Sequence, residues 1–504
     1  MMQAMTLSAP ALSWSRSSFF LKLCVLLALV ALGDATIGSG KIGAATAAFG
    51  AAWLFGLWLV RPATAAHLGA LTAFGFAWAM VFALLEDPSP LAGLIFWCAI
   101  GLAALLPRAA RFDDAWRWIG RLAAFTLSIL VKPIEDGERW FKVRRRRRGL
   151  PFAKVALFLV APLAGAVVFT GLFASANPII ARWIEGLRWG GDATDLSMRR
   201  VWWWIVIAFV VWSTLRASRF IRPRTVRLPT IALPGAPAIS TASVIVSLVV
   251  FNAIFAIENV LDVVFLWSGA PLPDGVTLAD YAHSGAYPLI LTALLAGGFV
   301  LFVLRPGAPT EGGGPLRALV YVWIAQNIFL VASSMLRTVD YIEAYSLTRL
   351  RLAALIWMAL VAAGLGLICW RIIANKSSAW LINANAAVLA TTLVSCVFVS
   401  LGSVTAQWNV RHNATTSGSG GVLDVAYLEY LGPSALNAML EFERAHPSDP
   451  LTEQVASARL RISETLAAAQ SDWRSWTWRG ARRLAVAHAA DPGWSPAADG
   501  EAGD

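Results

Sequence analysis

Charge is what this sequence has least of. Asp, Glu, Lys and Arg make up only 14% of its 504 residues. An ordinary soluble domain carries about 25%, so the deficit excludes a conventional water-soluble globular protein. Cysteine occurs four times and histidine five. Cys24, Cys98, Cys369 and Cys396 stand far apart in apolar stretches, which argues against a disulfide framework or a cysteine metal site and for small buried apolar groups. Also missing are the Walker A loop, His-Glu-x-x-His, Gly-x-Ser-x-Gly and Cys-x-x-Cys. ATP-driven transport, zinc proteolysis and serine hydrolysis lose their usual support without them. His67 has no acid or amide beside it with which to build an acyl-transfer site. No cofactor and no metal is implied.

What replaces charge is apolar length. Hydrophobic residues reach 58% and the mean hydropathy is +0.64. A hydrocarbon core of ~30 Å needs about 20 helical residues to cross it, and about eleven segments meet that requirement. They lie near residues 17–33, 43–60, 62–85, 89–107, 152–175, 201–215, 240–268, 286–304, 318–336, 352–370 and 380–402. Their apolar runs are continuous and lack the alternation of barrel strands, so they are expected as helices. The first begins with Arg16 and Lys22 like a signal peptide, but it is read here as a retained helix.

Lys and Arg, 41 against 30 acids, orient the chain, because basic loops stay cytoplasmic. Residues 108–154 end in Lys142-Val-Arg-Arg-Arg-Arg-Arg148, with Arg144, Arg145, Arg146, Arg147 and Arg148 in succession. Arg216, Arg219, Arg222, Arg224 and Arg227 form a second basic loop. Two helices separate the loops, so both can lie inside, which places the N-terminus inside and the chain after Gly402 outside. The five-arginine run serves this topology and can also hold anionic lipid headgroups, each basic residue contributing roughly 1 kcal/mol near the surface. Nucleic acid is not an expected partner. Just before the run, residues 112–131 mix Trp116, Trp118, Ile119, Leu122 and Phe125 with Arg117 and Arg121, which suits a helix lying in the interface or a short re-entrant segment.

The segment Phe255-Ala-Ile-Glu-Asn-Val-Leu-Asp-Val-Val-Phe-Leu-Trp267 puts Glu258, Asn259 and Asp262 into a spanning stretch. Carboxylates cost roughly 3 kcal/mol at the bilayer centre, so they call for a partner. Counting ~1.5 Å per residue from the cytoplasmic side puts Glu258 ~27 Å deep and Asp262 at the outer boundary. Four residues apart, the two share a helix face and repel unless a cation, a proton or an arginine intervenes. Two outer loops offer partners. One brings Asp274, Asp280, Tyr281, His283 and Tyr287; the other brings Arg337, Tyr345, Arg349 and Arg351. An arginine pairing with Glu258 or Asp262 would make either an ion-pair clamp across helices or a ligand pocket. Deeper in the membrane, Asn252, Gln326 and Asn327 fall at one level, as packing amides do.

Beyond Gly402 the chain turns polar through Asn409, Arg411 and Asn413, and with Ser417-Gly-Ser-Gly-Gly421 this reads as a flexible hinge. Helical stretches near 423–431, 435–446 and 451–470 follow, then a Trp- and Arg-rich segment over 473–483. The domains expected are a four-helix membrane region (1–107), a cytoplasmic basic and amphipathic loop (108–151), a seven-helix membrane core (152–402), an extracytoplasmic helical tail (403–490) and a disordered end (491–504).

Four blocks carry a resemblance. They are Glu258-Asn-Val-Leu-Asp262; Leu272-Pro-x-Gly275 with Tyr281-Ala-His-x-Gly-Ala-Tyr-Pro288; Tyr345-x-Leu-Thr-x-Leu-Arg351; and Leu423-Asp-x-Ala-Tyr-Leu428 followed by Leu431-Gly. In these the chain resembles a bacterial multi-pass membrane family catalogued as domain of unknown function 4153 or 4173. In that family the third block usually reads Tyr-Gly-Leu-Thr; here Ser346 replaces the glycine. The resemblance implies an all-α polytopic fold, the bacterial inner membrane and these candidate residues, but no activity. Three functions stay open: a transporter or envelope-export accessory with an outward-facing polar site; a structural or signalling protein whose charges brace helices and whose tail meets an extracytoplasmic partner; and a transferase on a lipid-linked substrate, with Asp274, Asp280 or His283 at the surface.

Overall fold

The computed structural model describes residues 17–38, 40–61, 68–108, 114–145, 198–216, 241–268, 295, 314–413 and 421–491. Among them every regular element is helical. Among the described residues six helices are long and apolar enough to cross a membrane, and three shorter apolar ones accompany them. The expected span near 152–175, that near 286–304 apart from residue 295, the hinge residues 417–420 and His67 lie outside the described residues. The helices fall into two compact units.

The first unit holds α1 (Ser17–Thr36), α2 (Ala44–Val60), α3 (Leu68–Glu86), α4 (Pro90–Leu105), α6 (Met198–Leu215) and most of α5 (Ala115–Arg145). Small residues line its interior: Ala45, Ala70, Ala77, Ala99, Ala103 and Ala104 are completely buried. Without a hydrophobic drive between helices in lipid, close backbone approach through small side chains is what holds them. Arg61 closes one end of the unit. Its guanidinium donates to Ala104 O at 2.9 Å and Leu215 O at 3.0 Å, so a basic side chain satisfies the last carbonyls of two helices. Arg216 pairs there with Asp136 at 3.1 Å, so two arginines close the same end. Asp34 and Arg200 pair where α1 ends and α6 begins. Helix α5 continues past residue 131 through Pro133 to Arg145. Its far half, rich in Glu, Lys and Arg, favours helix strongly enough to absorb one proline.

The second unit holds α7 (Thr241–Asp262), α8 (Gly314–Tyr345), α9 (Arg349–Ile373) and α10 (Ser378–Phe398), then α11 (Leu401–Arg411), α12 (Val425–Leu431), α13 (Leu436–Ala445), α14 (Pro450–Ser471) and α15 (Trp478–Ala490). Helix starts follow local chemistry. Thr348, Ser377, Ser400, Asp424 and Asp449 each accept a backbone N–H of the helix they precede, satisfying donors that a helix start leaves open. Helix α7 pairs with α8, α8 with α9 and α9 with α10. Val246, Val250, Ile254, Ile257, Leu261 and Val264 form an exposed apolar stripe along α7, the face a membrane helix turns to lipid.

Helices α11 to α14 enclose a separate core around Leu428, Leu436, Met439, Phe442, Val455 and Ala458. Ion pairs dress its surface, among them Arg411–Glu441 at 2.8 Å. The Arg411 hydrogen bond holds the Glu441 carboxyl below the usual glutamate range. A carboxylate depressed in the folded state adds stability above its unfolded pKa and loses it as pH falls through the folded one. Glu441→Gln is therefore expected to lower the tail's unfolding temperature slightly at neutral pH, by an amount that salt screens. The difference from wild type should close in acid, below the ordinary carboxylate range. A penalty that persists there would rule out the charge as its source.

Candidate functional site

On α7, Leu248, Asn252, Phe255, Asn259 and Asp262 recur at helical spacing toward α8, opposite the exposed stripe. The polar members meet polar members of α8 in order of depth. Gln326 donates to Asn252 Oδ1 at 3.0 Å, and Asn252 Nδ2 donates to Leu248 O and Leu319 O at 2.8 and 3.2 Å. Asn327 Nδ2 donates to Trp323 O at 2.8 Å. Asn259 Nδ2 reaches Gln326 O at 3.4 Å. Such amide contacts contribute ~0.6 kcal/mol each in membranes, so they set register more than they supply stability.

About three turns further along α8 the ladder becomes ionic. Arg337 Nη2 donates to Asp262 Oδ1 in a short contact and to Glu258 Oε1 at 3.4 Å. Asp262 is completely buried and Arg337 nearly so, at 5% exposure, while the Glu258 side chain keeps 39%. One guanidinium is shared by two carboxylates, one enclosed and one open to the surroundings. Immediately after Asp262 the helix widens to a π segment, Val263–Trp267. Ser268 N then bonds to Val263 O at 3.0 Å, and Trp267 Nε1 donates to Ser333 Oγ at 3.1 Å. A π turn inserts a residue into the helical phase. Here it follows the buried carboxylate and returns Trp267 to the α8 side. Helix α8, with 32 residues, is about 48 Å long and overruns a ~30 Å hydrocarbon core. Its last turns, which carry Arg337 to Tyr345, belong at the membrane edge.

Arg349 and Arg351 do not join Glu258 and Asp262. Both lie at the tight turn between α8 and α9, where the chain reverses and its backbone needs partners. Arg351 donates to Tyr345 O at 2.7 Å and also to Ser346 O, and lies over the Tyr341 ring. Arg349 turns to the tail: its N–H donates to the Tyr427 hydroxyl at 2.9 Å and Nη2 donates to Leu431 O at 3.3 Å. Leu347 and Asn409 form a reciprocal buried pair, with Leu347 N donating to Asn409 Oδ1 at 2.7 Å and Asn409 Nδ2 to Leu347 O at 3.0 Å. The sequence presents Asn409 as part of a polar lead-in to the hinge; it sits instead inside α11, 6% exposed. A side-chain amide is one of the few groups that can answer a turn's N–H and C=O together.

Ser346 adopts φ +66°, the left-handed region that costs a residue with a Cβ about 1–2 kcal/mol. That accounts for a glycine at this place in the block the chain resembles. Gly432, at φ +58°, ends α12 for the same reason. The third and fourth blocks thus form one contact, between Arg349 and Tyr427, 78 positions apart in the chain.

Asp274, Tyr281, His283, Tyr287, Arg146, Arg147 and Arg148 lie outside the described residues. Arg144 and Arg145 end α5, with only their backbone described. Spacing could not have singled out Asn409, Tyr427 or Ser333, because each finds its partner in a distant segment.

Residues 70–442 match the family model of Domain of unknown function (DUF4153). No curated protein and no solved structure matches the chain. The match covers the greater part of the sequence and includes α7, α8, the turn before α9 and the tail helices that grip it, so the chain belongs to the DUF4153 family.

Proposed function

We propose that this is a non-catalytic multi-pass protein of the bacterial cytoplasmic membrane, in which Glu258, Arg337 and Asp262 clamp α7 to α8 and the α8–α9 turn mounts the helical tail for an extracytoplasmic partner. The N-terminus is inside and the tail outside, as the alternation of basic loops requires. The observation that carries the clamp is the complete burial of Asp262 on Arg337. A buried carboxylate without its countercharge would cost several kcal/mol, so this pair behaves as one structural unit. The same helix that carries Arg337 ends in the turn bound by Asn409 and Tyr427, which supports a rigid mount.

One observation favours a second reading, a transporter or export accessory: the Glu258 carboxylate is half-exposed above the buried arginine, where an outward-facing site would present a titratable or cation-binding group. Two amide variants separate the readings. Under the clamp, Asp262→Asn strongly lowers the unfolding temperature of the full chain in detergent, while Glu258→Gln, at a half-exposed carboxylate, lowers it only slightly and leaves cellular function near wild type. Under the transport reading, Glu258→Gln folds normally but abolishes function in cells that depend on this copy. An Asp262→Asn protein as stable as wild type would remove the clamp.

A further inference from the structure

We infer that Arg349 and Arg483, together with the hydroxyls of Ser400, Ser403 and Ser434, form a site for a phosphate group where the last described membrane helix meets the tail. Arg483 lies on α15, and its Nη2 donates to Ser403 Oγ at 2.8 Å, Ser400 Oγ at 3.0 Å and Ser434 Oγ at 3.4 Å. Arg349 approaches the same serine from the start of α9. A Cβ built on Gly402 would stand 2.6 Å from Arg349 Nη2 and 2.9 Å from Ser434 Oγ. It is the bare glycine that lets this guanidinium in. Two guanidinium groups are thereby brought close to Ser434, Arg483 by a hydrogen bond and Arg349 across Gly402, an arrangement that an anion between them stabilises and that fits phosphate, which guanidinium groups bind in a fork.

Ser403 already donates to Ser400 Oγ at 3.1 Å, while the hydroxyls of Ser400 and Ser434 retain an O–H donor, and the start of α11, capped by Ser400, adds the favourable end of a helix dipole. Three tail arginines are matched to carboxylates: Arg411 with Glu441, Arg459 with Glu443, Arg461 with Glu429. Arg349 instead spends its hydrogen bonds on a carbonyl and a hydroxyl.

The location points to the source of the phosphate. Helix α10 ends at Phe398 beside the start of its neighbour α9 at Arg349, so the cluster stands at one end of the membrane helices, at headgroup level. Tyr345, Tyr430 and Trp478 are exposed in the same unit, as aromatic residues are at a membrane surface. The chemistry is common to a phospholipid headgroup and to free phosphate.

The test uses the full chain in a non-ionic detergent and measures its unfolding temperature. The additions are dihexanoyl-phosphatidylglycerol, dihexanoylglycerol lacking the phosphate, and inorganic phosphate against sodium chloride at matched ionic strength. A rise of a few degrees is expected with the phospholipid and none with dihexanoylglycerol. It should be lost in Arg483→Gln and reduced in Ser434→Ala, which removes only a hydroxyl and keeps the assay readable if the arginine variant misfolds. Arg461→Gln, an exposed arginine paired with Glu429, should keep the full rise. If inorganic phosphate alone gives the rise with the same variant pattern, the site stands and its ligand is the free ion. No rise with either phosphate source, a rise that survives Arg483→Gln and Ser434→Ala, or one that Arg461→Gln abolishes equally, would overturn the site. None of these variants touches Glu258, Asp262 or Arg337, so failure here leaves the clamp standing.

Discussion

Replacing Arg337 with methionine is expected to destabilise the full chain by about 3–5 kcal/mol, the usual penalty for stripping one partner from a buried ion pair. Methionine keeps the unbranched apolar stem of the arginine, so the change chiefly removes the charged guanidinium. Asp262 is completely enclosed against α8 and would have to protonate or turn α7 toward lipid, where an ionised carboxylate is costly. Joining Arg337→Met to Asp262→Asn should recover most of the loss, because it leaves an amide beside a thioether with no fully buried ion, and the remaining Glu258 carboxylate is half-exposed. Unfolding followed by the fluorescence of the chain's 24 tryptophans gives both values. A single variant as stable as wild type, or a double variant no better than the single, would show that the contact holds nothing together.

Phe442→Ala is expected to cost the tail about 3–5 kcal/mol. Phe442 is fully buried among Leu428, Leu436, Met439 and Val455, and truncating it leaves a cavity that helices held from several sides cannot close. The tail has its own core, distinct from the one around Trp323, Met358 and Leu365. Damage should therefore stay local: the variant should still insert, while limited proteolysis of the full chain cuts within 425–471 far faster than in wild type. Loss of membrane insertion, or unchanged protease resistance, would contradict a separately organised tail core.

Local chemistry was open to reading before any coordinates. Continuous apolar runs have no alternative to helix in a membrane, because lipid offers nothing to an unpaired N–H or C=O. Thr348, Ser377, Asp424 and Asp449 announce helix starts through an interaction that spans two or three residues. Glu258 and Asp262 on one face, in need of an arginine, follow from a spacing of four. Which arginine answers does not follow: Arg337, Arg349 and Arg351 are equivalent as letters, and the partner depends on where α8 stands when its helix ends. Arg337 comes within reach of α7, whereas Arg349 and Arg351 fall past the turn at Ser346, on the far side of a chain reversal.

Asn409 looked like the start of a flexible connection because its neighbours are polar. Its burial depends on the turn 62 residues away that it satisfies, and long-range hydrogen bonds leave no periodic trace. Composition and spacing thus determined a helical membrane protein with a paired-carboxylate segment in search of a cation. Assigning that cation, joining the turn before α9 to the tail and bringing Arg483 to Ser434 required the tertiary structure, because those contacts are made by segments whose separation along the chain encodes nothing about their distance in space.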